Sequence, residues 1–423
     1  MWAKDLKAWL KTEEAKTKLK ELYVDEQTLP LQLARYEEAI DKFLELYGDG
    51  DLHIYSAPGR SEVGGNHTDH QRGKVLACSI NLDNIAVVKK TEDNVIRLQS
   101  KGFYPIRVDL SVLTPQEKET DHSPSLIRGV AAAFHENGYQ IGGFEAYTTS
   151  QVLTGSGMSS SASFEILLAT ILNDLYNDNQ VSDIDKAKFS QYAENKFYGK
   201  PSGLLDQMAS SVGSLINIDF KDKENPIIKR IDVNFRGFGY ALCVTDTRSS
   251  HNNLTDEYAA VPGEMKQVAA YFGKEVLSEV DEQQVKDHLN DLRKKVGDRP
   301  VLRALHFYEE NKRVDREVAA LEQGDFKAFL KAVTQSGNSS YKYLQNIYAS
   351  KDQQGVSMAL ALTDLFLEGE GAHRVHGGGF AGTIQAFVPI DKVEAYRREM
   401  DSYFGDGACH VMYVRNLGGT KVL

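Results

Sequence analysis

What this chain lacks narrows its class first. No stretch approaches the roughly 18 consecutive apolar residues that a membrane-spanning helix requires. The N-terminus is amphipathic and mixed in charge (Lys4-Asp5-Leu6-Lys7-Ala8-Trp9-Leu10), without the apolar core of a secretion signal. Cysteine is scarce: Cys78, Cys243 and Cys409 are odd in number, far apart and outside any CxxC or Cys/His metal spacing. They read as buried free thiols, and the expected location is the cytoplasm. No basic block interrupts a net charge of −11, so nucleic acid is not an expected partner. Internal repeats and low-complexity tails are also missing. With 423 residues, 41% hydrophobic and 26% charged, the chain can bury more than one core.

The order of elements is mixed α+β. Residues 2 to 48 read as helix, stopped at Gly48-Asp49-Gly50. Strand-like runs follow at 53–56, 85–89, 95–98 and 143–149, with helices expected at 124–137, 159–176 and 184–197. Further strands are expected at 214–218 and 240–245. Residues 264–330 read as charged, solvated helix, with the Asp281-Glu282 and Arg293-Lys294-Lys295 clusters on its faces. A helix at 355–369 and strands at 383–388 and 410–414 close the chain. Strands grouped early and helices grouped late suggest two interleaved lobes. The expected division is an N-terminal helical extension (1–27), an N-terminal lobe (28–215) and a C-terminal lobe (216–423).

Four segments concentrate chemistry. The first, Gly59-Arg60-Ser61-Glu62-Val63-Gly64-Gly65-Asn66-His67-Thr68-Asp69-His70, crowds charge and amides among glycines, as a site for a polyhydroxylated ligand would. The second, Gly155-Ser156-Gly157-Met158-Ser159-Ser160-Ser161-Ala162-Ser163, sets backbone amides and hydroxyls at the start of a long apolar helix. That combination suits phosphate, and its serines could also bind a metal ion. It lacks the Gly-Lys-Ser/Thr ending of a Walker loop. The third segment, 193–207, carries Glu194 as a candidate metal ligand and Asp206 past a Pro/Gly turn. A carboxylate at position 206, among apolar residues, must be paired or functional. The fourth, Arg374 to Gly382, fits Gly-x-Gly-x-x-Gly formally, but a strand-like run follows where a dinucleotide site needs a helix. A glycine loop closing on a ligand or on the opposite lobe is the better reading.

In this order, the four segments resemble the motifs of the GHMP kinase superfamily and, within it, the galactokinases. The resemblance covers roughly residues 28 to 420. It implies a two-lobe fold with the active site in the cleft between lobes, ATP as cosubstrate, a magnesium ion, and phosphoryl transfer to the anomeric hydroxyl of a hexose. By motif match it implies Asp206 as the catalytic carboxylate and Arg60 as its cationic partner. It assigns the sugar to Asn66, His67, Asp69, Gly203 and Tyr258. It assigns phosphate to Gly155, Gly157, Ser159, Ser160, Ser161 and Ala162, and magnesium to Glu194 and Ser161. The expected assembly is a monomer or weak homo-oligomer.

Departures from the pattern leave the sugar open. Asn66 stands where galactokinases carry Glu, Ser61-Glu62 replaces a hydrophobic-Asn pair, and His70-Gln71-Arg72 replaces Tyr-Asn-Gly. An arginine pair after Tyr258 and a tryptophan near Ser123 are missing. A Glu facing a C6 carboxylate at about 4 Å would cost about 4 kcal/mol at an effective dielectric of 20. Asn66 removes that repulsion and Arg72 could add a cation, so a uronic acid stands beside galactose as a candidate substrate. A catalytically inactive sugar sensor is the alternative of another class; the intact Ser161-Ala162, Asp206 and Arg60 favour an enzyme.

Overall fold

The computed structural model describes residues 1–152, 160–200, 202–222, 224–249 and 254–423. Its strands are β1 (Leu52–Gly64), β2 (Lys74–Lys90), β3 (Val95–Ser100), β4 (Ile106–Asp109), β5 (Phe144–Ser150), β6 (Leu215–Asp219), β7 (Ile227–Ile231), β8 (Tyr240–Asp246), β9 (Ala372–His376), β10 (Thr383–Pro389), β11 (Cys409–Met412) and β12 (Thr420–Lys421). The helices are α1 (Ala3–Trp9), α2 (Glu13–Tyr23), α3 (Leu29–Tyr47), α4 (Ser123–Glu136), α5 (Ser160–Asn177), α6 (Asp183–Tyr192) and α7 (Leu205–Val212). They continue with α8 (Thr255–Tyr271), α9 (Glu282–Asp287), α10 (Leu289–Val296), α11 (Asp298–Glu322), α12 (Phe326–Ser339), α13 (Gly355–Leu367) and α14 (Val393–Phe404).

One sheet runs β12-β1-β2-β5-β3-β4, with β6 on β2 and β7 on β6. Only the β3–β5 pair in it is parallel among the described residues. Alternation along β1 and β2 gives this sheet two buried faces. Ile54, Ile85 and Val87 meet α1, α2 and α3, while Tyr55, Ala57, Ala86 and Val88 meet α4 and α5. The second sheet, β11-β8-β10-β9, is antiparallel. Leu242, Val244 and Phe387 face α12, and Ala241, Cys243 and Val388 face α14. A shared core joins the sheets: Val63, Leu76 and Cys78 of the first pack with Leu242 and Val244 of the second and Val314 of α11. All three cysteines are buried and free.

Several expectations need correction. The helix expected over 2–48 is three helices. Val24, at φ 62°, breaks the path; Thr12 caps α2, and Asp25 caps a short 3-10 turn before α3. Residues 1–27 form no separate unit, because Leu6, Leu10, Leu19 and Leu22 share one core with Phe43 and Ile54. Nor does 215 divide the sheets: β6, β7 and β12 all belong to the first. Within the first motif, Arg60 to Gly64 continue β1 past irregularities in its pairing with β2. The Asp281-Glu282 and Arg293-Lys294-Lys295 clusters do lie near or at the surface. On α11, by contrast, Arg303, His306, Glu310 and Glu317 are fully buried.

Candidate active site

Strand β1 carries Arg60 to the start of α7, where its Nε donates to Asp206 Oδ1 at 2.6 Å. Burial works against the Arg60 guanidinium, but the charges of Asp206, Glu62 and Asp69 outweigh it and raise its pKa. The short charged hydrogen bond fixes the carboxylate's orientation.

The turn after β1 carries two further residues, His67 and Asp69. His67 adopts φ 57°, an uncommon left-handed conformation for a non-glycine residue. Its Nε2 donates to the Gly378 carbonyl at 3.0 Å, and burial depresses its pKa, so the ring is neutral. Asp69 starts a 3-10 turn, and burial, then the charges of Glu62 and Asp206, push it up to about 7. A Cβ on Gly203 would lie 1.8 Å from Asp69 Oδ2, so only glycine lets the 202–206 segment approach this carboxylate. Gly203→Ala is therefore expected to weaken sugar binding at least 50-fold, read by calorimetry. A change under threefold would show that the contact is not needed.

The fourth segment closes on the first. Its Gly377, Gly378 and Gly379 carbonyls accept from Asn66, His67 and the Tyr258 hydroxyl, at 2.7, 3.0 and 2.8 Å. Burial raises Tyr258 to about 12, which keeps that hydroxyl protonated. The glycines thus serve as a seam between lobes, as a loop closing on the opposite lobe would.

Two substrate expectations change here. Asn66 is fully buried and its amide is saturated: Nδ2 donates to Glu62 and Gly377, and Oδ1 accepts from Ser340 and Asn346. In this conformation it braces the seam and offers no free donor to a sugar. Arg72 turns away, pairing with Glu275 and Glu279 at the surface, so it supplies no cation for a sugar carboxylate.

Residues that had no assigned role in the sequence support this segment. Glu62, on the buried end of β1, binds Arg374 Nη2 at 2.6 Å, while Arg374 Nη1 holds the Val63 carbonyl. From α11, His306 reaches the Asn66 carbonyl, and Glu310 accepts from the Gly65 amide. Burial is the largest influence on both, but arginine charges offset it for Glu310. That carboxylate falls to about 2, while His306 falls to about 4 and stays neutral. The available signal was the spacing 303, 306, 310, 313 and 317, which puts one polar stripe along a helix.

Helix α5 begins at Ser160, and Ser161 Oγ donates to Glu194 Oε1 at 2.9 Å. Glu194 sits in a π-helical turn, Ala193–Tyr198, a local widening that often marks functional positions. Ala162 is buried at the helix base. Gly155, Gly157 and Ser159 lie outside the described residues. A buried carboxylate beside a hydroxyl is an oxygen donor pair that suits magnesium, which takes few protein ligands and completes its shell with water and phosphate. Among the described residues, no cluster of three or more His, Cys, Asp or Glu side chains could hold a metal alone.

Comparison with known proteins identifies the family. Residues 125–214 match the GHMP kinases N terminal domain, and residues 41–90 match the galactokinase galactose-binding signature. Galactokinase from Streptomyces coelicolor is 31% identical over 86% of this chain and 92% of its own length. This chain belongs to the galactokinase family. Human galactokinase is 29% identical over 91% of this chain and 96% of its own. The crystal structure of Lactococcus lactis galactokinase complexed with galactose superposes with a TM-score of 0.78 at 25% identity, covering 90% and 98% of the two chains. A mevalonate kinase structure shares the fold, with a TM-score of 0.58 at 16% identity over 85% and 99%. Among the described residues, no helix is long and apolar enough to cross a membrane.

Proposed function

We propose that this galactokinase-family enzyme transfers the γ-phosphoryl group of ATP to the anomeric hydroxyl of D-galactose. The observation that carries the reading is the Arg60–Asp206 pair at the start of α7, with Asp69 of the sugar segment close enough to feel Asp206 and to act on Arg60. Asp206 accepts the proton of the anomeric hydroxyl as its oxygen bonds to the γ-phosphorus. The bond from that phosphorus to the β,γ-bridging oxygen breaks and ADP leaves. Arg60 holds Asp206 ionised and in place, and its positive charge favours the charge developing on the transferring group. The amides at the start of α5 face the phosphates. Glu194 and Ser161 would hold magnesium, which neutralises phosphate charge when bound. Phosphoryl transfer depends chiefly on such alignment and neutralisation.

Two features favour galactose over a uronic acid. Glu62 and Asp206 already raise Asp69 by their charge, so a sugar carboxylate held beside Asp69 would add to that repulsion. Arg72 is committed elsewhere. In an ADP-release assay, galactose is expected to give at least 100 times the kcat/KM of galacturonate. Turnover of galacturonate without turnover of galactose would reverse the assignment. Turnover of neither sugar, with ATP and galactose both bound, would favour the sensor.

Asp69 gives the site a pH dependence. Its native pKa of about 7 lies above the ordinary 3.8, so the folded protein retains a proton that the unfolded chain has lost. Its contribution to stability is full below pH 4, declines as pH rises to about 7, and is lost above. As an acceptor for sugar hydroxyls it must be ionised, so galactose affinity is expected to rise about tenfold from pH 6 to pH 8. Asp69→Asn should flatten that profile; an unchanged slope would assign the titration to another group.

A further inference from the structure

We propose that Lys200 is a built-in occupant of the divalent-cation position: in the nucleotide-free enzyme its ammonium holds Glu194 Oε1 and competes with magnesium for it. The proposal rests on Glu194 and Ser161 being the metal ligands. Glu194 is only 2% exposed, and both of its oxygens are fully engaged. Oε1 accepts from Ser161 Oγ at 2.9 Å and Lys200 Nζ at 2.8 Å. Oε2 accepts from Ser202 Oγ at 2.6 Å and Gln207 Nε2 at 2.8 Å. A metal ion entering along Oε1 must displace either the Ser161 hydroxyl, its expected co-ligand, or the Lys200 ammonium.

The contact is built into the backbone. Gly199, at φ 91°, ends the π-helical turn, and the Gly199 and Lys200 amides both donate to the Glu194 carbonyl at 3.1 Å. Lys200 is therefore tied to Glu194 at its main chain and at its side-chain tip. Its side chain is 53% exposed, so the flexible stem can carry the ammonium off without disturbing the core.

Charge balance gives this arrangement a purpose. Glu165 is fully buried beside Glu194 and shares the Gln207 amide with it. Glu194 already carries the Lys200 ammonium as its counter-charge, as Asp206 carries Arg60. A bare divalent ion would therefore bring its charge to a carboxylate that is already paired. Metal that arrives with nucleotide brings its own negative charge. Lys200 thus suppresses binding of metal alone and favours its entry as the metal–nucleotide complex.

The test is a manganese titration of nucleotide-free enzyme, read by the EPR signal of free Mn2+. The wild type, Lys200→Met, Lys200→Gln, Lys200→Arg, Glu194→Gln and the Lys200→Met/Glu194→Gln pair would be compared, each checked for native near-UV circular dichroism. The neutral replacements are expected to bind Mn2+ at least tenfold more tightly than wild type, Lys200→Arg to remain near wild type, and Glu194→Gln to cancel the gain. If both neutral variants stay within twofold of wild type while Glu194→Gln weakens binding, the metal site stands and the role of Lys200 is overturned. If Glu194→Gln changes nothing in either background, Glu194 is not the ligand, and the metal assignment falls together with the proposal.

Discussion

Asp206→Asn should lower kcat by about a thousandfold, within the range ascribed to a positioned acid or base, while galactose still binds. The substitution keeps the shape of the side chain but removes the acceptor for the anomeric proton. It also discards the charge that holds Arg60 Nε at 2.6 Å. Arg60 is then a buried cation without its strongest counter-charge, although Glu62 and Asp69 remain close enough to act on it. The loss should therefore fall on turnover, with KM and the calorimetric Kd for galactose changing less than tenfold. Single-turnover phosphoryl transfer separates the two effects. A variant with wild-type turnover would remove Asp206 from the chemistry, and one that merely lost sugar affinity would recast it as a binding residue.

Arg374→Met is expected to be the most destabilising single change at the seam. Arg374 is fully buried, and Glu62, 7% exposed, accepts its Nη2 at 2.6 Å. Replacing the arginine strands the carboxylate at depth and frees the Val63 carbonyl. Breaking one side of a buried pair commonly costs about 3–5 kcal/mol. The shift in urea midpoint measures the loss, with near-UV circular dichroism checking that the native state still forms. Glu62 is also one of the charges that raise Asp69, so the double variant Glu62→Gln/Arg374→Met should recover much of the stability and lower the midpoint of the Asp69 titration. A single variant within 0.5 kcal/mol of wild type would show that the pair is held by its surroundings.

The sequence made some parts of this protein far more legible than others. Arg60, His67, Asp69, Gly203 and Asp206 could be named because their segments resemble the galactokinase motifs, and the fold sets Arg60 on Asp206 and Gly203 against Asp69. The polar stripe of α11 was hidden because Glu310 and Glu317 look like any solvated face until a second lobe covers them. Asn66 was misjudged for a related reason: an amide suits a sugar hydroxyl and a buried bracket equally well. The return of β12 to the first sheet left no local signal, since a two-residue strand carries no periodicity. Lys200 was passed over because a lysine beside a glycine in a turn ordinarily points into water.

That returning strand has a consequence for synthesis. β12 pairs with β1 through Tyr55 and Ser56, and the Leu423 carbonyl accepts from the Ile54 amide. Nearby, the fully buried Arg415 donates to Ser56 Oγ and to the Gly418 carbonyl. The first sheet to leave the ribosome is thus completed only by a strand made much later in the chain. Until then, one edge of β1 stays open while some 360 further residues are made, a span set by the positions of Ile54 and Thr420. At about 5–20 residues per second, that is a wait of tens of seconds. During that time the nascent chain presents an unpaired strand edge, the kind of surface that chaperones cover and neighbouring chains invade.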